Sequence, residues 1–106
     1  MDFKALLEEF KDILSVVIFD SEGTFIEKAE RKNLPEEFEE LAFHLSKFID
    51  NVSEVLEDLK EELSEVFFST KELVVIVKKL ADERFLMVVS KRGAETGRIR
   101  FKISQI

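Results

Sequence analysis

The sequence predicts an α+β domain in which a single sheet is covered by helices on both faces. Two observations carry that reading. Three apolar runs, Val16-Val17-Ile18-Phe19, Leu73-Val74-Val75-Ile76-Val77 and Phe85-Leu86-Met87-Val88-Val89, show none of the alternation of a strand with one wet face. Each reads as a strand buried on both sides. Amphipathic helical segments stand before, between and after the strand groups, and they supply the two covering layers.

Taken in order, Phe3, Leu6, Leu7, Phe10, Ile13 and Leu14 form one helical stripe, with Glu8, Glu9, Lys11 and Asp12 on the wet side. This predicts a helix from about residue 2 to near Leu14. Strand one follows at Ser15 to Asp20 and turns at Ser21-Glu22-Gly23, where Gly23 is the candidate for a positive φ. Thr24 to Ala29 returns as strand two, whose charges at Glu27 and Lys28 suit a sheet edge, because charge discourages edge-to-edge pairing.

Asn33-Leu34-Pro35-Glu36-Glu37 reads as a helix start. Pro35 is tolerated in a first turn, and acidic residues meet the positive end of the dipole. Apolar residues then keep helical spacing from Phe38 through Leu63, predicting a helix of roughly 25 residues, or about 38 Å. That is longer than a layer of five- or six-residue strands needs for cover.

Glu65 to Thr70, Leu73 to Lys78 and Phe85 to Ser90 read as strands three, four and five, an antiparallel meander joined by short turns. The tail is ambiguous: Ile99, Phe101 and Ile103 alternate as a strand would, while Ile99, Ile103 and Ile106 fit one helical face. A helix beginning after Gly93 is the expectation.

At 106 residues the chain is read as one domain, spanning 1–106. With no Cys, thiol catalysis, disulfides and thiolate metal sites are excluded, and a reducing, cytoplasmic setting is expected. The formal charge of −7 opposes nucleic acid and anionic membrane surfaces as partners. No apolar run reaches the roughly 18 residues of a membrane span, and Met1-Asp2-Phe3-Lys4 lacks the order of a signal peptide. Abundant Glu and Lys with few amides match the bias of hyperthermophile proteins. Lys91, Arg92, Arg98, Arg100 and Lys102 gather toward the C-terminus. They read first as a solvated face and second as a contact surface for an acidic partner.

No catalytic set can be assembled. His44 stands one helical turn after Glu40, a surface pair rather than a base with a nucleophile. Asp20 and Glu22 are too few oxygens for calcium. The acidic runs around Glu36 and Glu61 are solvated helix faces, and no phosphate-cradling G-x-x-x-x-G-K-[ST] loop is present. No cofactor, metal or enzymatic activity is expected.

The order helix, hairpin, long helix, three-strand meander, helix resembles the Roadblock family. These are small dimeric domains first associated with dynein light chains and also found as partners of Ras-like GTPases. Two local matches carry the likeness: the apolar strand ending in Asp20-Ser21-Glu22-Gly23, and the strand running from Phe85 through Lys91-Arg92-Gly93-Ala94 into Glu95-Thr96-Gly97. The chain departs from the family at Leu14-Ser15-Val16, where a small residue or Gly is common. The resemblance implies a profilin-like five-stranded antiparallel sheet in the order 2-1-5-4-3, with the long helix on one face and the terminal helices on the other. It also implies a homodimer joined through strand three.

Two residue patterns point to the same dimer. Strand three is an edge in the order the resemblance implies, and its Val66-Phe67-Phe68, without Pro or Lys, invites pairing; the alternative is that it and the helix flank are ordinary core. On the long helix, Phe48 and Val55 widen the apolar band beyond one sheet contact. The expected interface is Phe48, Val52, Val55, Val66, Phe67 and Phe68. The function expected from the resemblance is a non-enzymatic homodimeric scaffold that binds and regulates a small Ras-like GTPase. The alternative is a small-molecule-sensing module of the PAS or profilin-like kind. No arginine finger is assigned to Arg92, Arg98 or Arg100.

Overall fold

A computed structural model describes residues 3–106. The elements are α1 (Phe3–Glu9), β1 (Ile13–Asp20), β2 (Phe25–Glu30) and α2 (Glu37–Leu56), then a 3-10 turn at Glu57–Leu59. After the turn come β3 (Glu65–Ser69), β4 (Leu73–Lys79), β5 (Arg84–Lys91) and α3 (Thr96–Ser104). The five strands form one antiparallel sheet in the order β2-β1-β5-β4-β3, as the resemblance implied.

The apolar runs are buried on both sides because alternate residues serve two cores. Val16, Ile18, Val74, Ile76, Leu86 and Val88 face Leu6 and Phe10 at the N-terminal helix and Ile99 and Ile103 of α3. On the other side Val17, Phe19, Val75, Val77, Met87 and Val89 face Ala42, Leu45 and Ile49 of α2. At about 1.5–3 kcal/mol for each large apolar side chain fully buried, these two layers hold the sheet without any staple. The hairpin between β1 and β2 is docked onto α2. Gly23 adopts φ +82°, and a Cβ there would lie 2.7 Å from the Phe43 nitrogen and 2.9 Å from the Glu39 carbonyl oxygen. Beside it the buried Ser46 hydroxyl donates to the Ser21 carbonyl at 2.9 Å.

Three boundaries differ from the sequence expectation. The predicted start of the first helix at residue 2 lies outside the described residues. Its end comes at Glu9 rather than Leu14, because Ile13 and Leu14 are claimed by β1, with Ile13 opposite Ser90 of β5. Arg31 ties the helix end to the start of β1: its guanidinium donates to the carbonyls of Leu7, Phe10, Lys11 and Ile13. The long helix spans 20 residues, short of the roughly 25 that its apolar spacing predicts. It closes through the 3-10 turn into Lys60, which takes a left-handed φ of 59°. Leu63 therefore lies off the helix, its backbone nitrogen donating to Ser53 Oγ at 3.1 Å.

The physical reason for this stop is charge. Glu54, Glu57, Asp58, Glu61 and Glu62 crowd the negative end of the helix dipole, and no basic residue offsets them in the last turn. At the other end, Pro35 precedes the helix rather than sitting in its first turn, and its carbonyl accepts from Phe38 at 3.0 Å. The tail is helical: α3 begins at Thr96 and buries Ile99 and Ile103 while Phe101 faces outward.

Candidate functional site

β3 lies at the edge of the sheet and pairs with β4 in unbroken register from Glu65↔Lys78 to Ser69↔Val74. Among the described residues its outer row of backbone groups pairs with no strand. The side chains divide by register. Phe67 stands opposite Ile76 and so belongs to the face of the terminal helices. It is 37% exposed, with the Arg100 guanidinium 4.1 Å from its ring centre. Val66 and Phe68 stand opposite Val77 and Val75 and lean, half-buried, on the α2 core.

α2 contributes a second apolar stripe. Its buried stripe is Ala42, Leu45, Ser46 and Ile49. Roughly a quarter-turn round the helix, at spacings of four, three and four, lie Phe48, Val52, Val55 and, in the following turn, Leu59. Phe48 is 50% exposed, Val55 76% and Leu59 70%, with Val52 half-buried. Leaving several large apolar side chains in water on one helix flank is costly unless another surface covers them. The first three belong to the interface expected from the sequence. Leu59 does not, because it reads there as part of an unbroken helix core, although its spacing of four from Val55 is a visible signal.

The residues weighed for chemistry lie apart. His44 Nε2 is 3.8 Å from Glu40 Oε1 on the exposed side of α2, the one-turn pair its spacing suggested. Asp20 is a turn-former: its Oδ1 accepts from the backbone nitrogens of Glu22 at 2.9 Å and Thr24 at 3.0 Å. Its side chain is thereby committed to the hairpin. Among the described residues, no group of three His, Asp or Glu is placed to hold a metal ion. No described helix is long and apolar enough to cross a membrane.

Missed by the sequence reading is a basic cleft at the end of the sheet where β2 and β5 finish and β1 and β4 begin. It measures about 660 Å³ and is rimmed by Arg31, Lys32, Lys71, Lys91 and Arg92, with Glu72 the one carboxylate among its lining. It continues into a smaller cavity of about 250 Å³ with Leu34, Phe38, Leu73 and Val89 in its walls. The cations come from three separate segments, so no run in the sequence announces them.

No protein-family model and no curated protein matches the sequence. Solved structures do. The chain is similar to an MglB with tetrameric arrangement, at 15% identity and a TM-score of 0.78, over 96% of this chain and 76% of that one. It is similar to a Roadblock/LC7 domain from Streptomyces avermitilis at 13% identity and a TM-score of 0.77, over 99% of this chain and 89% of that one. The gliding protein MglB of Thermus thermophilus aligns at 15% identity and a TM-score of 0.77, over 96% of this chain and 77% of that one. With its sheet order, its helix placement and these likenesses, the chain has the Roadblock/LC7 fold.

Proposed function

We propose that this domain is a non-enzymatic homodimeric scaffold that binds and regulates a small Ras-like GTPase. The observation that carries the proposal is the pairing of an open apolar edge at β3 with an uncovered apolar stripe on α2. A two-fold axis beside β3 would join two sheets into one and let each molecule shield the other's Phe48, Val52, Val55, Val66, Phe67 and Phe68. Such an isologous contact removes the edge hazard in both copies at once. Phe, the only aromatic type in the chain apart from the single His, suits a dry, permanent interface because it carries no polar group.

The GTPase reading is supported by the Roadblock/LC7 fold and by the likeness to proteins described as MglB. The paired α2 helices would present one continuous surface built from both copies, which a small globular partner could span. Size-exclusion chromatography with light scattering tests the dimer. Co-purification with the small GTPase encoded nearest to this protein, and GTP hydrolysis measured with and without it, tests the partner. A stable complex with an altered hydrolysis or exchange rate is expected. A monomer, or a dimer that neither binds the GTPase nor changes its rates, defeats the reading.

A further inference from the structure

A basic cleft and an acidic turn stand at opposite ends of the sheet, and each has the shape the other lacks. At one end is the basic cleft. Its two arginines are held by carbonyls rather than carboxylates: Arg31 by the end of α1, and Arg92 by the Thr70 oxygen at 3.1 Å. Both therefore keep an unneutralised positive charge in a fixed place. Lys32, Lys71 and Lys91 are exposed and make no ion pair among the described residues. The cleft's extension is walled by Leu34, Phe38 and Leu73, so the site as a whole has an apolar floor and a cationic rim.

At the opposite end, the turn after α2 reads Glu57-Asp58-Leu59-Lys60-Glu61-Glu62. It has four carboxylates and one lysine, and its exposed leucine stands on a tight bend made by the left-handed Lys60. This is an apolar knob in an acidic setting, the complement of the cleft in both respects.

The two cannot meet within one molecule, because they sit at opposite ends of the strands. Across a two-fold they can. If β3 pairs antiparallel with its copy about Phe67, the start of one β3 lies beside the end of the other, and the second copy's Leu63 falls opposite Lys71. The residues just before Leu63 are the acidic turn, and those just after Lys71 line the cleft. We infer that the Glu57–Glu62 turn of each copy docks in the basic cleft of the other, with Leu59 as its apolar anchor, so that two charged latches flank the central strand pair. The inference rests on the dimer proposed above. It adds that charge fixes the register of the strands and the choice of partner, as complementary potentials do at interfaces.

The test is a charge swap in the full chain. Lys71→Glu with Lys91→Glu cancels the net positive charge of the cleft, leaving Arg31, Lys32 and Arg92 against three carboxylates, and Glu61→Lys with Glu62→Lys reverses the turn; all four side chains are exposed. Each double variant alone should weaken self-association at least about tenfold in analytical ultracentrifugation, and the wild-type dimer should weaken with added salt. Mixing the two variants should recover association as a 1:1 heterodimer, since one of its two latches keeps the native charges and the other sets the reversed turn against a cleft that has no net positive charge left to repel it. Circular dichroism melting of each variant separates misfolding from lost association. A variant that melts early is replaced by Lys71→Gln with Lys91→Gln, for which a smaller loss in the same direction is expected.

A dimer whose dissociation constant is unmoved by both swaps overturns the latch and leaves the strand-edge dimer standing. A monomeric wild type overturns both. Binding of a fluorescein-labelled peptide of glutamates around a central leucine to the wild-type dimer, as tightly as to the Glu61→Lys, Glu62→Lys variant, would show the cleft open in the assembled protein and overturn the latch as well.

Discussion

The two edge strands of this sheet occupy the same kind of position and solve it in opposite ways. β2 pairs with β1 through a register shift between Ile18 and Phe19 that leaves Ile26 without a partner of its own, a bulge on the outer strand. Its outer run carries Glu27 and Lys28, and Lys28 Nζ stands 3.3 Å from Glu30 Oε1. Charge and bulge together blunt an edge. β3 has neither device: its register with β4 is regular and its centre is Val66-Phe67-Phe68. One fold thus closes one side by negative means and leaves the other open. An exposed apolar residue is not in itself the sign of an interface, since Ile26 is 41% exposed and Phe67 only 37%. The proposed interface at β3 rests instead on a backbone row that runs without a bulge.

That contrast can be broken experimentally. The largest effect is expected from Phe67→Asp, which places like charges opposite each other at the proposed axis while keeping a favourable neighbour in Arg100. Light scattering should show the mass fall to that of one chain, a loss of roughly 3–4 kcal/mol in association. Ile26→Asp on the other edge should leave the mass unchanged. Gly23→Ala comes next, because a methyl there meets the α2 backbone and the φ is positive. Urea denaturation should show roughly 2–3 kcal/mol of lost stability.

Arg31→Ala should cost about 1 kcal/mol in the same measurement, since it removes the guanidinium that ties the end of α1 to the start of β1. Phe48→Ser sharpens the comparison from the helix side: it should weaken the dimer by roughly 1–2 kcal/mol without lowering the stability of the single chain. Ile26→Thr should change stability by less than about 0.5 kcal/mol.

Much of the fold is legible in the sequence because both faces of the sheet are covered. A strand such as Val74 to Val77, apolar at every position, has no other stable setting, and Ile99 and Ile103 show the helical face of the tail once Phe101 is free to point outward. The strand order comes from the family resemblance rather than from residue patterns. Boundaries mislead where one apolar residue satisfies two periods. Ile13 extends the stripe of α1 as well as it opens β1, and only its pairing with Ser90, far along the chain, decides between them. The helix stop at Leu56 is written in the carboxylates that follow, but hydrophobic spacing through Leu63 masks it. The basic cleft has no local signature, because Arg31, Lys71 and Arg92 become neighbours only when three turns converge.

The placement of β1 between β2 and β5 has a consequence for how the chain reaches its final form. Val16 faces Val88 across the ladder, so β1 waits for a strand that follows it by about seventy residues. Closing so long a loop delays productive pairing. While the chain emerges from the ribosome, the segment from Val16 to Phe19 therefore stays without its central neighbour until β5 has been made. The central pair of the sheet is thus expected to close after the β1–β2 hairpin and the β3–β4–β5 meander, whose partners are near in sequence.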